Sequence, residues 1–232
     1  MGTLVGYRLE GSVAAITMDD GKVNALSLQM INEIDAALDQ AAADRAVVLL
    51  GGREGVFSAG FDLPVVRAGG PESVAMFRAG FELAERLLGF PLPVVVACTG
   101  HAVAMGLFLL LSGDYRLGVA GPYRLTANEV AIGITLPHAA AEVLRQRLAP
   151  AYFNRAAILA ESFSPDNAVE AGVLDRVVGA GELAAVARGT AEALAALDLA
   201  AHAATKLRVR QPALNAIRAG IEADFAGLPV RG

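Results

Sequence analysis

The sequence has no tryptophan, one cysteine, and nowhere a dense cluster of lysine and arginine. Each shortage excludes something. Cys98 lies inside an apolar run and reads as a small buried hydrophobe. One thiol supports neither a disulfide framework nor a cysteine metal cluster. No grouping of His, Cys, Asp and Glu has metal-ligand spacing, and nothing points to a redox cofactor. With a net charge of −5 and no basic patch, the chain lacks the footprint of a nucleic-acid partner. The longest apolar stretch, Ala102 to Leu111, is far short of the roughly 20 residues that span a bilayer, and Pro91, Pro93, Thr99, Gly100 and His101 break its upstream extension. The first ten residues lack the apolar core of an export signal. Gly6 stands where a myristoylation signal has Ser or Thr. The expectation is a soluble cytoplasmic chain with no membrane partner. No G-x-G-x-x-G follows the first strand and no Gly-x4-Gly-Lys-Ser/Thr occurs, so nucleotide folds lose their phosphate grip.

What is present is apolar. Of 232 residues, 55% are hydrophobic and 19% charged, enough for a large core and more than one subunit's surface needs. Two strands, Val5–Leu9 and Val13–Met18, meet at Gly11-Ser12. Ser27 reads as the N-cap of a helix with Leu28, Ile31, Ile34 and Leu38 on one face. Ala46–Leu50, Val94–Cys98 and Tyr115–Val119 read as buried strands. A helix follows Pro71, with Val74, Phe77, Phe81, Ala84 and Leu88 inward, and an apolar helix spans Val103–Ser112. Ser164-Pro165 marks a capped helix start, and Val173–Val178 reads as a strand. Helices follow over Glu182–Ala196 and Leu199–Ala226, the latter broken or kinked near Pro212. Strands alternating with helices predict an α/β core; the pattern alone also fits a doubly wound sheet.

Four segments carry chemistry. They are Lys22–Ser27, Gly55–Leu63, Pro93–Gly106 with Gly113–Arg116, and Ala127–Gly133. The second leaves a strand through a glycine turn, and the third runs from a strand through a glycine turn into a helix. Both aim backbone N–H groups outward. Two such donors converging on one point form an oxyanion hole, which a thioester needs when its α-carbon loses a proton.

The string Phe57-Ser58-Ala59-Gly60-x-Asp62-Leu63 and the string Pro93-Val94-Val95-x-Ala97-x-x-Gly100-x-Ala102 together resemble the crotonase superfamily, the enoyl-CoA hydratases and isomerases. The likeness extends through Ser164-Pro165, Ala171–Asp175 with Val177-Val178, and Ala204–Lys206. It implies a spiral of ββα units with a C-terminal helical region used in trimerisation: a core over 1–185 and a trimerising region over 186–232. It implies acyl-CoA as substrate and no separate cofactor. It makes the Phe61 and Met105 amides the oxyanion donors and Ala59, Gly60, Phe61, Asp62 and Leu63 the lining of the CoA groove. It also implies a homotrimer or a dimer of trimers.

The departures from the family pattern are specific. Hydratases of the family carry two catalytic glutamates; here one position is Phe108 and the other is Glu129. Met105 replaces the family's usual glycine, which predicts a narrowed or distorted second donor. Hydration holds a water between two carboxylates, whereas shifting a double bond from C3 to C2 needs one base. The chain therefore resembles the single-glutamate Δ3,Δ2-enoyl-CoA isomerases of fatty-acid breakdown, a likeness that its Asn128-Glu129 pair and its Gly113–Arg116 run also carry. An apolar pocket would raise Glu129 toward neutrality, as a base requires. The alternatives are an enoyl-CoA hydratase working with Glu129 alone and a non-catalytic acyl-CoA-binding protein. A dienoyl-CoA isomerase would carry a further acid where Pro137 stands. Phe108 and His138 are candidates for the acyl pocket, His138 also as a second proton carrier. His101 reads as a structural hydrogen-bonder, His202 as surface or interface, Asp62 as a turn stabiliser, and Asp114 with Arg116 as a structural pair.

Overall fold

A computed structural model describes residues 2–226. Strands β1 (Val5–Glu10) and β2 (Val13–Met18) form an antiparallel hairpin, with Val5 opposite Met18 and Glu10 opposite Val13. From β2 onward the chain repeats one motif, a strand, a second short strand and a helix. The first turn is β2, β3 (Ala25–Leu26) and α1 (Leu28–Ala43). The second is β4 (Val47–Gly51), β5 (Gly55–Ser58), β6 (Gly60–Phe61), α2 (Leu63–Ala68) and α3 (Gly70–Gly89). The third is β7 (Val94–Cys98), β8 (Gly100–Val103) and α4 (Met105–Leu111). The fourth is β9 (Tyr115–Val119), β10 (Leu125–Thr126), a 3-10 turn over Val130–Ile132 and α5 (His138–Arg145). Then come α6 (Pro150–Ala157), β11 (Ser162–Phe163), α7 (Pro165–Ala168), β12 (Arg176–Val178), α8 (Leu183–Ala195) and α9 (Leu199–Asp224).

The opening strands of successive turns stack in one sheet, in the order β1-β2-β4-β7-β9-β12, parallel from β2 onward. The second strands stack separately, as β11-β10-β8-β5 and β3-β6. This is the ββα spiral with helices at its end. All five residues of β7 are buried, as a parallel strand covered on both faces must be. The main core lies inside the spiral, where Ile31, Ile34 and Leu38 of α1 meet Leu87, Leu88 and Leu107. Ser27 starts α1 by accepting the Met30 N–H at 3.2 Å. On the other face of the six-stranded sheet, Leu183, Ala187 and Ala191 of α8 pack over Val13, Val47, Val95 and Leu117. Residue 185 falls inside α8, so this helix begins on the core and runs on into the C-terminal region.

Several expectations change in detail. The apolar run from Val103 is not all helix. Residues 100–103 pair with β5 and β10 as a strand, and the helix begins only at Met105. The strand expected over Val173–Val178 is confined to its last three residues. Ser164 occupies the cap position of α7, but its hydroxyl makes no capping bond. Pro212 lies inside an unbroken α9. It removes one N–H donor, but buried Lys206 before it and Leu214, Ile217 and Ile221 after it hold the helix against the core. Asp114 and Arg116 are not a pair. Asp114 binds Lys206 and Arg210, each at 2.7 Å, and Arg116 binds Asp175 at 2.8 Å.

Candidate active site

The spiral brings the second and third turns into backbone contact at the two expected donors. Gly60 has φ 90°, and a Cβ added there would lie 2.8 Å from the Val103 carbonyl oxygen, 3.1 Å from Ala104 Cβ and 3.3 Å from the Met105 nitrogen. Glycine is required by this approach as well as by its φ. The Gly60–Phe61 peptide therefore sits beside the Met105 N–H. Ala104 itself holds φ 49° and ψ −122°, a conformation L-residues rarely adopt. It turns the chain sharply from β8 into α4. As the first helical residue, Met105 has an N–H that no carbonyl of its own helix can accept.

Met105 is 1% exposed. Its side chain is buried in the core at α3, where Gly80 leaves room. A Cβ on Gly80 would come 2.5 Å from the Phe61 ring and 3.5 Å from Met105 Sδ. Phe61 packs edge-on against Phe77 and Phe81, with centroids 4.7 and 6.2 Å away. Phe81 in turn meets Phe108 at 6.0 Å. Phe108, one helical turn beyond Met105, is 1% exposed. The position where the hydratase pattern has its second glutamate is thus part of an aromatic cluster.

Glu129 follows β10, whose Thr126 carbonyl accepts the Ala104 N–H at 2.8 Å. The base candidate and the Met105 turn therefore descend from adjacent strands. Glu129 is 8% exposed. Its backbone carbonyl is held by the Ile132 and Ile134 N–H groups at 3.1 and 2.9 Å, but Oε2 is buried without a partner. Burial pushes its carboxyl up to about 7, against an ordinary value of 4.5. The neighbouring Asn128 Oδ1 is buried without a partner as well. A carboxyl near neutrality, half of whose acceptor capacity is free, can take and return a proton at ambient pH.

The first segment is a brace for the second. Asn24, fully buried with φ 51°, donates from Nδ2 to the Met18 and Phe57 carbonyls at 3.1 Å. Ser58 Oγ donates to the Asn24 carbonyl at 2.8 Å and accepts the Gly60 N–H at 3.1 Å. Ala59 and Leu63 are exposed and Asp62 is half-buried. The Asp62 carboxylate caps no N–H of α2, so the turn-stabilising bond expected of it is not made. His101 Nδ1 accepts the Arg124 N–H at 3.0 Å, a structural bond. His138 is exposed at the start of α5, where its backbone N–H is held by Asp224 at 2.8 Å. His202 is half-buried beside Asp114, Lys206 and Arg210. Asn24, Gly80 and Ala104 shape the site without chemistry of their own; Asn24 and Ala104 lie in segments the sequence marks, whereas Gly80 lies in none.

The chain is thus an α/β spiral with a close backbone approach between its second and third turns and a buried, near-neutral carboxyl after the neighbouring strand β10. The chain matches the enoyl-CoA hydratase/isomerase family over residues 8–227 and belongs to it, as a crotonase-superfamily enzyme. It is 33% identical to human mitochondrial enoyl-CoA delta isomerase 1 over 171 residues, 72% of this chain but only 57% of the human protein. The crystal structure of an enoyl-CoA hydratase/isomerase family protein from Pseudomonas syringae superimposes with TM-score 0.95 at 46% identity, covering 97% of this chain and 98% of that one. An apo structure of an enoyl-CoA isomerase from Mycobacterium tuberculosis gives TM-score 0.94 at 45% identity, covering 98% and 100%. No described helix is long and apolar enough to cross a membrane.

Proposed function

We propose that the chain shifts the double bond of a 3-enoyl-CoA to the 2-position in fatty-acid breakdown, with Glu129 as its one base. The observation that carries this is the lone buried Glu129 carboxyl, near neutrality, with Phe108 where a hydratase has its second glutamate. Glu129 takes a proton from C2, the resulting enolate oxygen is held by the Phe61 and Met105 N–H groups, and Glu129 returns the proton at C4. No water is added and none is lost. The aromatic cluster around Phe61, Phe81 and Phe108 keeps the reacting carbons dry, which favours return of the proton over attack by water. The acyl-CoA lies along Ala59–Leu63, where exposed Val23 and Leu63 flank the groove. The protein works in the cytoplasm as a homotrimer or dimer of trimers, which would cover Leu197, Leu207 and Val209 on the C-terminal region, Val209 being 71% exposed.

The test is incubation with 3-enoyl-CoA and, separately, with 2-enoyl-CoA, with products resolved by chromatography and mass. Isomerisation converts the first without changing its mass. A product heavier by one water from the second, formed faster than any isomer, assigns hydration instead.

A further inference from the structure

The two ends of α4 are treated differently. Its first turn presents Met105 to the site. Its last carbonyl and those of the turn after it are gripped by Arg147, which reaches in from the turn after α5. Arg147 Nε donates to the Leu111 carbonyl at 3.2 Å, and Nη2 donates to the Gly113 carbonyl and, at 3.5 Å, to that of Asp114. Gln146 Nε2 adds a bond to Leu111 at 3.4 Å, and Ser112 Oγ donates to the Phe108 carbonyl at 2.8 Å. The charged groups facing Arg147 are Arg116, Arg210, Asp175 and Asp114. Among the described residues both carboxylates are engaged elsewhere, Asp114 by Lys206 and Arg210 and Asp175 by Arg116. Burial first, then the two neighbouring guanidinium groups, lowers the Arg147 pKa to about 9, so the group stays charged at neutral pH. A guanidinium held by carbonyls among like charges is a costly way to finish a helix. A neutral amide, such as the adjacent Gln146, would satisfy the same oxygens.

We infer that Arg147 is a positioning residue for the thioester site. It locks α4 along its axis, and so the Met105 N–H, and it cancels the negative end of the helix so that the field at the first turn favours an enolate oxygen. This rests on the reading of Met105 as an oxyanion donor. Seven residues make α4 about 10 Å long. A unit charge at that distance, through an effective dielectric constant of ~20, changes a rate by about tenfold.

The experiment uses the full chain and the variants Arg147→Met, Arg147→Gln and Arg147→Lys. Turnover of 3-enoyl-CoA gives kcat and KM, and difference infrared spectroscopy gives the thioester carbonyl stretch of bound hexanoyl-CoA. Loss of the charge in Met and Gln should lower kcat about tenfold with KM within about twofold, and should shrink the red shift of the carbonyl on binding. Lys should restore most of both. The Gln variant keeps hydrogen bonding to the helix, so it reports on the charge even if the Met variant fails to fold. A Gln variant with parental kcat and parental carbonyl shift overturns the inference, as does equal loss in Gln and Lys with the shift unchanged. A wild-type complex that shows no carbonyl shift overturns the reading of the site itself. A shift that survives removal of Arg147 overturns only the role given to this residue.

Discussion

Glu129 and Asp114 are both carboxylates set into the fold, Glu129 buried just after β10 and Asp114 half-buried at the start of β9, and their surroundings have little in common. Asp114 accepts from Lys206, from Arg210 and from the Val94 N–H, each at 2.7 Å. It ties α9 to the sheet. Glu129 has no cation beside it and leaves one oxygen without a partner. A charge whose partners are all present is held in one geometry. A charge that burial penalises and nothing neutralises is poised between two states. The same residue chemistry thus gives a structural tie in one place and a carboxyl free to titrate near neutrality in the other.

The comparison is broken most severely by Glu129→Gln, which keeps shape and removes the base. Turnover of 3-enoyl-CoA should fall by roughly 10²–10⁴-fold, with KM little changed. Exchange of the substrate's α-proton with deuterated water should fall in step. Exchange at the parent's rate would move the base to another residue. Asp114→Asn should act oppositely, leaving chemistry per folded molecule intact while costing about 3–5 kcal/mol of stability. Lys206 and Arg210 would then be buried without their counter-ion. Denaturant melts check this, and an unchanged midpoint would show that the seam is not structural.

The pH dependence sharpens the contrast. The carboxyl of Glu129 stands at about 7 in the folded chain against 4.5 ordinarily. The native state therefore holds its proton more tightly than the unfolded chain. Its contribution to stability is complete below pH 4.5 and is lost as pH rises through about 7. The loss is about 3 kcal/mol in order of magnitude. Glu129→Gln should flatten that slope, seen as a stability difference from wild type that grows between pH 4.5 and 7. Activity runs the other way, since the base must be ionised, so kcat/KM should climb through about pH 7. Superimposable stability curves for the two proteins would remove the assignment. The smallest effect is expected of Phe108→Glu, which puts a second carboxyl near the first. Hydration of 2-enoyl-CoA should rise above the parent's, at a cost of roughly 1–3 kcal/mol for a buried polar group. A folded variant that binds acyl-CoA but hydrates no faster shows that Phe108 does not face the reacting carbons.

How much of this was legible beforehand depended on distance along the chain. Val94–Cys98 and Tyr115–Val119 are strands at their expected limits, because a buried parallel strand leaves an uninterrupted apolar signature. Residues 100–103 were hidden by their place between that strand and an apolar helix, where composition does not change at the boundary. Pro212 pointed to a break that packing on both sides prevents. At the site, Phe61, Met105 and Glu129 stood out through short motifs. Asn24 fell within a marked segment without showing its bracing bonds, and Gly80 and Arg147 did not stand out, because each acts on a segment at least 19 residues away in sequence or on a partner known only once the spiral closes. Asp114 and Arg116 were rightly marked as structural but wrongly matched, since each is taken by partners far along the chain, Asp114 by Lys206 and Arg210 and Arg116 by Asp175.

The contact between Gly60 and the Val103–Met105 turn has a consequence for how this scaffold can drift. Because main chain meets main chain there, the separation of the two donors is gauged by peptide atoms and not by any side chain. A residue that lends only its N–H tolerates other side chains that its surroundings can hold, while the residue that sets the gap has no latitude. A library randomised at 61 and 105 should retain many functional members; one randomised at 60 should return glycine.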